Sequence, residues 1–159
     1  MNKAALVAHI IAQLESDLIP LRAAALETYA AATGDESKPE NKYDTRALEA
    51  SYLAGAQAKR VLDIEGSLNV FRVLELKEFK PGSRIESTAL VEVDLDGKSV
   101  HVFIAPARGS LTIAHEGRMI QVITPQSPLG AALLGLREGD VAKVDKSPRL
   151  LEYEVVSVE

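Results

Sequence analysis

Two apolar series with alternating spacings of four and three residues restrict this chain more than any other feature. The first is Val7, Ile11, Leu14, Leu18, Leu21, Ala25 and Thr28, flanked by Leu6, Ile10 and Leu26. The second is Ala47, Ala50, Ala54, Gln57, Val61, Ile64, Leu68 and Phe71. Residues recurring about every 3.5 positions draw a narrow stripe along a helix, and a second helix with a matching stripe is the natural cover for it. Small residues at the start of the second series (Ala47, Ala50, Ala54, with Gly55 beside them) would let two backbones come close. Two matched helices joined by a short connection predict an antiparallel hairpin. A helix of about 30 residues is about 45 Å long, so the first half is expected to be a rod.

The ends of the helices have their own signals. Gly34 stands where a C′ residue would end the first helix. Thr45 can cap the second, which is expected to run to about Glu75 with Glu49 in its first turn. Pro20 lies inside the first series, where a proline removes a backbone hydrogen bond and crowds the preceding turn. It predicts a kink, or alternatively the start of a separate helix with Ser16 or Asp17 near its cap.

The character of the sequence changes near residue 80. Pro81-Gly82 breaks the helical pattern, and Val, Ile and Thr then alternate with polar residues. Strands are expected over Glu86–Asp94, Ser99–Ile104, Arg118–Thr124, Val141–Val144 and Leu151–Val158. Asp96-Gly97 is a hairpin turn signal, and a short helix over Leu129–Leu136 is closed by Gly135. The predicted division is therefore a helical hairpin at 1–78 and an α+β domain at 79–159, one helix against an antiparallel sheet.

Composition removes several function classes. The 159 residues contain no Cys, which excludes disulfide frameworks, thiol nucleophiles and iron–sulfur clusters. Aromatic residues are 4% with no Trp, a thin supply of stacking platforms for single-stranded nucleic acid. A net charge of −5 without a basic stripe argues against direct reading of duplex DNA. No uninterrupted apolar run reaches the ~18 residues of a membrane span. The N-terminal stretch contains His9 and Gln13 and reads as a helix, not a signal peptide, so a cytoplasmic protein without membrane association is expected. His9, His101 and His115 lie on different elements and form no metal-ligand motif, and no nucleophile elbow or phosphate cradle is present.

Two segments could carry chemistry. Between the helices, Thr33–Asp44 (TGDESKPENKYD) holds Asp35, Glu36, Glu40 and Asp44. Such a stretch is what a solvated loop tip looks like. It is also what a rod would need to present hard oxygen ligands to Mg²⁺ in another protein's active site. In the second half, Thr124–Asp140 (TPQSPLGAALLGLREGD) reads as a proline-started core helix with a glycine cap, although Ser127 and Gly139-Asp140 are left without a role by that reading.

That second segment also carries a resemblance. Ser127-Pro128-Leu129-Gly130, Ala132-Leu133-Leu134-Gly135, Glu138-Gly139-Asp140-Val141 and the closing Leu151–Val158 resemble the C-terminal domain of the Gre factors GreA and GreB, bacterial transcript-cleavage and elongation factors. The resemblance is strong from Ile85 to Val158 and weaker over the helical half. It implies an antiparallel coiled-coil hairpin followed by an FKBP-like domain. It also implies docking of that domain on RNA polymerase at the rim of the secondary channel, through Gln126, Ser127, Pro128 and Leu129. The acidic tip would then assist cleavage of the backtracked RNA 3′ end. By this resemblance Asp35 and Glu40 are the catalytic and metal-assisting residues, sharing Mg²⁺ that the polymerase supplies. The factor would have no cofactor of its own, would not be an enzyme by itself, would act as a monomer, and would associate with DNA only through the polymerase. The family pattern at the tip is Gly-Asp, two residues, then Glu-Asn-Ala-Glu-Tyr. Here Gly34-Asp35 and Glu40-Asn41 match it only with two extra residues between them, including Pro39 and Lys38. A non-cleaving factor that occludes the channel is the alternative. A prolyl isomerase would need an apolar, largely aromatic pocket, for which the second half offers Phe103 and Tyr153. A coiled-coil interaction module without transcription machinery is the third reading. For the architecture, the alternative to a monomeric hairpin is a rod that dimerises through leftover apolar residues such as Leu6 and Ile10.

Overall fold

The computed structural model describes residues 1–34 and 46–159. In chain order the elements are α1 (Lys3–Thr33), α2 (Arg46–Arg72), β1 (Leu90–Leu95), β2 (Lys98–Ile104), β3 (Leu111–His115), β4 (Arg118–Ile123), α3 (Pro128–Leu133), β5 (Val141–Lys146) and β6 (Arg149–Val158). Residue contacts divide them into two compact units, one of Met1–Ile10 with Val70–Glu159 and one of Ile11–Asn69. The boundary expected at 78/79 falls inside the first of these, because the opening turns of α1 and the end of α2 cluster with the sheet.

In the unit of Ile11–Asn69, the two helices form the hairpin that the seams require. Leu14 and Leu18 on α1, and Ile64 and Leu68 on α2, are buried, and the remaining described seam positions are half-buried. The Arg22 guanidinium donates to Glu65 Oε1 from Nη2 at 2.5 Å and from Nε at 3.2 Å, an exposed contact between the two helices. α1 passes through Pro20 as one helix, so neither a separate helix nor a cap at Ser16 or Asp17 is present. Pro20 and Ser16 are both exposed, which leaves the carbonyl freed by the proline open to water. By length and composition α1 is apolar enough to pass as a membrane-crossing helix, although polar residues interrupt its apolar run. In the hairpin, one face of it is taken up by the seam. Gly34 follows the last helical residue, its amide donating to Ala30 O at 2.8 Å. The proposed cap Thr45, and the segment from Asp35 to Asp44, lie outside the described residues.

The other unit is built on a six-stranded sheet of order β3-β4-β2-β1-β6-β5. It is antiparallel except for β2 and β4, which pair in parallel with His101 opposite Ile120 and Phe103 opposite Val122. The sequence reading missed β3 and with it this parallel pair. One face of the sheet carries Val91, Val93, Val102, Ile104, Val144 and Val155, and α3 covers it with Leu133 fully buried. The opposite face carries Leu90, Phe103, Ile113, Ile120 and Val122, also buried. Leu6 and Ile10 from the first turns of α1 and Phe71 from the end of α2 fall in the same unit and are at most 2% exposed. Both faces of the sheet are thus buried, where one helix against one face was expected. Leu6 and Ile10 belong to this core and are not leftover dimerisation residues.

Ile10 and Ile19 sit nine positions apart on one helix, at 0% and 72% exposure. Ile10→Ala should lower stability by about 2–5 kcal/mol through loss of packing and the cavity left behind. Ile19→Ala should change it by less than about 0.5 kcal/mol. Urea unfolding followed by circular dichroism checks both.

Candidate functional site

The segment singled out by its sequence is a tightly tied turn that opens α3. Ser127 is the N-cap, with φ −67° and ψ 152°. Its amide and its hydroxyl both donate to Thr124 O, at 3.0 and 2.8 Å, and the same Oγ accepts from Gly130 N at 3.1 Å. Pro128 occupies the first helical position, where the lost N–H had no partner to lose. Gly130 is required by space: a Cβ there would lie 2.0 Å from Thr124 O and 2.9 Å from Ser127 Oγ. Gly135 ends the helix at φ 82°, and its amide donates to Ile85 O at 2.8 Å. Asp140 closes the next turn, its Oδ2 accepting from Arg137 N at 2.8 Å, while Gly139 at φ 86° donates to Val155 O.

This geometry separates the four residues expected to meet a partner. Gln126 and Pro128 are exposed; Ser127 is half-buried and occupied with capping; Leu129 is half-buried against the core that holds Leu133. Beside Ser127 opens a cleft of about 320 Å³, walled by Ser110, Thr112, Gln121 and Thr124 together with their apolar neighbours. No lining side chain titrates near neutral pH, so the cleft offers contact surface and no acid–base chemistry. Arg108 (φ 59°) and Ser110 (φ 68°), either side of Gly109, hold its rim in a left-handed backbone conformation that costs these side chains some strain. Phe103 and Tyr153 are buried in the core, so they do not line an aromatic pocket of the kind an isomerase needs.

The acidic tip residues Asp35 and Glu40 lie outside the described residues. Among the described residues no group of three or more His, Cys, Asp or Glu side chains is placed to hold a metal ion. His101 is held structurally: Arg118 Nη1 lies 3.0 Å from its Nε2, its Nδ1 lies 3.5 Å from Ser99 Oγ, and Ser99 Oγ donates to Glu92 Oε1 at 2.7 Å. His9 and His115 are brought together although 106 positions separate them, a pairing for which the sequence holds no signal. Near the start of α1, burial pushes the Lys3 ammonium below its ordinary pKa, against the opposing pull of Glu159 and Glu78. Its Nζ donates to Lys77 O at 2.5 Å and sits 4.6 Å from the centre of the Phe79 ring. The hydrogen bond and charge of Lys77 hold the exposed Glu86 carboxyl below its ordinary value.

Residues 84–159 match the family described as transcription elongation factor GreA/GreB, C-terminal. GreA of Methylococcus capsulatus is 29% identical over 164 aligned positions, covering 99% of this chain and 98% of the relative. GreA of Verminephrobacter eiseniae is 30% identical over 129 positions, covering 81% of this chain and 76% of the relative. The chain belongs to the GreA/GreB family. It is a Gre-family transcription elongation factor, with the hairpin followed by the sheet domain. Among solved structures, Gfh1 of Thermus aquaticus aligns over 92% of both chains at 25% identity with a TM-score of 0.41, too low a score to add to the fold assignment. In Gre terms the matched domain runs through β1–β6 and α3 and includes the whole of the Ser127 turn.

Gly130→Ala should destabilise the domain by at least about 2 kcal/mol, since the new methyl meets backbone that cannot yield cheaply. Ser127→Ala should cost about 1 kcal/mol through loss of the cap. Thermal unfolding of both variants against wild type is the check.

Proposed function

We propose that this Gre-family factor binds RNA polymerase at its secondary channel through the Ser127 turn. We also propose that it stimulates Mg²⁺-dependent cleavage of backtracked RNA through Asp35 and Glu40. The observation that carries the reading is the near full-length likeness to GreA, with matched hairpin helices on either side of the acidic segment. The factor lends carboxylate oxygens, and the polymerase supplies the Mg²⁺ and its own active site. A hard divalent ion prefers such oxygen ligands and, once held, stabilises the attacking and leaving oxygens of a phosphoryl displacement. The protein itself would not be an enzyme; its place of action would be the cell interior, where the polymerase works.

One observation favours a second reading. Asp35 and Glu40 are five positions apart where the family pattern has three, with Lys38 and Pro39 between them. A cation beside the loop competes with Mg²⁺ for the same carboxylates. On that reading the protein occupies the channel and regulates the polymerase without cleavage.

Cleavage assays on stalled elongation complexes from the same organism separate the two. Asp35→Asn and Glu40→Gln keep shape and remove charge. Each should abolish stimulated cleavage while polymerase affinity is unchanged. If wild type binds polymerase and never stimulates cleavage at any Mg²⁺ concentration, the occluding reading holds, and deleting Lys38 and Pro39 should then confer cleavage. For docking, Gln126→Ala with Pro128→Ala is the clean probe, because both side chains are exposed and Ser127 is needed by the fold. The double variant should bind polymerase more weakly with an unchanged melting temperature; full affinity would exclude this turn from the interface.

A further inference from the structure

His9 and His115 meet with their Nδ1 atoms 3.2 Å apart, ring centres 5.1 Å apart and ring planes at 75°. Both belong to the sheet unit, His9 on the opening turns of α1 and His115 at the end of β3. Two imidazole nitrogens at that distance are placed to share one proton or one metal ion. A shared proton needs one ring to carry its hydrogen on Nδ1 and the other to leave its Nδ1 bare, at the long end of the usual N–H donor range. A metal at the usual 2.0–2.1 Å from each nitrogen, with tetrahedral angles, sets them about 3.3 Å apart. The observed spacing is close to that value.

The far side of His115 adds an independent observation. Its side chain is 3% exposed, and its Nε2 is buried without a hydrogen-bond partner among the described residues. Yet Glu116 Oε1 stands 3.4 Å from that nitrogen, close enough for attraction but poorly aligned for a hydrogen bond. Metal-binding histidines are oriented by donating their other ring N–H to a carboxylate, a part that Glu116 would take if its exposed side chain turned into line with Nε2. Glu116 is itself steadied by Asn2, whose backbone N–H donates to the same oxygen at 3.2 Å. His9 is exposed, which gives an ion a route in and leaves room for water at the other coordination positions.

We propose that His9 and His115 form a two-histidine site for a borderline transition metal of the Zn²⁺, Ni²⁺ or Cu²⁺ type, with Glu116 as the positioning residue behind His115. Nitrogen donors select these ions over Mg²⁺, so the site is chemically separate from the carboxylates at 35–45. Two protein ligands make an open, exchangeable site. By joining α1 to β3, a bound ion would tie the first turns of that helix to the sheet.

Calorimetric titration of Zn²⁺ into the tag-free full chain tests this, alongside nitrogen-detected NMR of the imidazoles. The expected result is one ion per chain, with the Nδ1 signals of His9 and His115 shifted on binding and His101 unmoved. His9→Ala and His115→Ala should each weaken binding by more than tenfold, and Glu116→Gln by about tenfold. Excess Mg²⁺ should not compete. His9 is exposed, so His9→Ala should melt as wild type does and decides the matter even if His115→Ala fails to fold. No Zn²⁺ binding, binding that survives His9→Ala at full affinity, or Nδ1 signals that report only a shared proton would each overturn the proposal.

Discussion

The sheet unit depends on one constraint: its central strands are apolar on both faces. In β1 and β2, Leu90, Val91, Val93, Val102, Phe103 and Ile104 are all at most 2% exposed. A sheet of that kind must be covered twice. The chain meets one requirement locally, with α3 and Ile85, and draws buried residues into the same unit from a distance, with Leu6, Ile10 and Phe71. The second cover explains why the apolar stripe of α1 serves two purposes. Its first turns complete a sheet domain, and from Leu14 onward the same stripe pairs with α2. It also explains the ties gathered at the start of the chain, where the Met1 amine pairs with Glu159, Asn2 with Glu116 and Lys3 with Lys77 O.

Much of this was legible in the sequence because periodicity reports which faces are buried. The seam positions of both helices fall at buried or half-buried sites wherever they are described, and α2 ends within three residues of the expected limit. Periodicity does not say what buries a face. Leu6 and Ile10 therefore looked like flanking residues, and the boundary drawn at the Pro81-Gly82 break took no account of contacts made from the far end of the chain. β3 was missed for a local reason: its five residues follow Arg108, Gly109 and Ser110, whose backbone conformations give no strand signal. The parallel pairing of β2 with β4 follows from inserting β3 between them in sequence, so missing one concealed the other.

The Ser127 turn shows a similar split. Its order of residues marked it, and the reasons for Ser127, Gly130 and Asp140 are hydrogen bonds and close approaches within the turn. A serine before a proline at a helix start could have been read as a cap; the 2.0 Å approach at Gly130 could not. The meeting of His9 and His115 had no sequence signature, because it depends on where the first turns of α1 lie against the sheet.

The strand order leaves β3 and β5 as the outer strands, each with a row of backbone groups that another chain could pair with. Both are poor templates. β3 is five residues long and bounded by Ser110 at φ 68° and Glu116 at φ 48°, turns that prevent a flat extension in either direction. β5 points Lys143, Asp145 and Lys146 to solvent, and Lys143 reaches back to Glu152 on its inner neighbour at 3.0 Å. A copy of the protein approaching either edge would have to strip charge of its water or bend its own strand. A sheet as apolar as this one can therefore be kept at working concentrations without growing, strand by strand, into fibres.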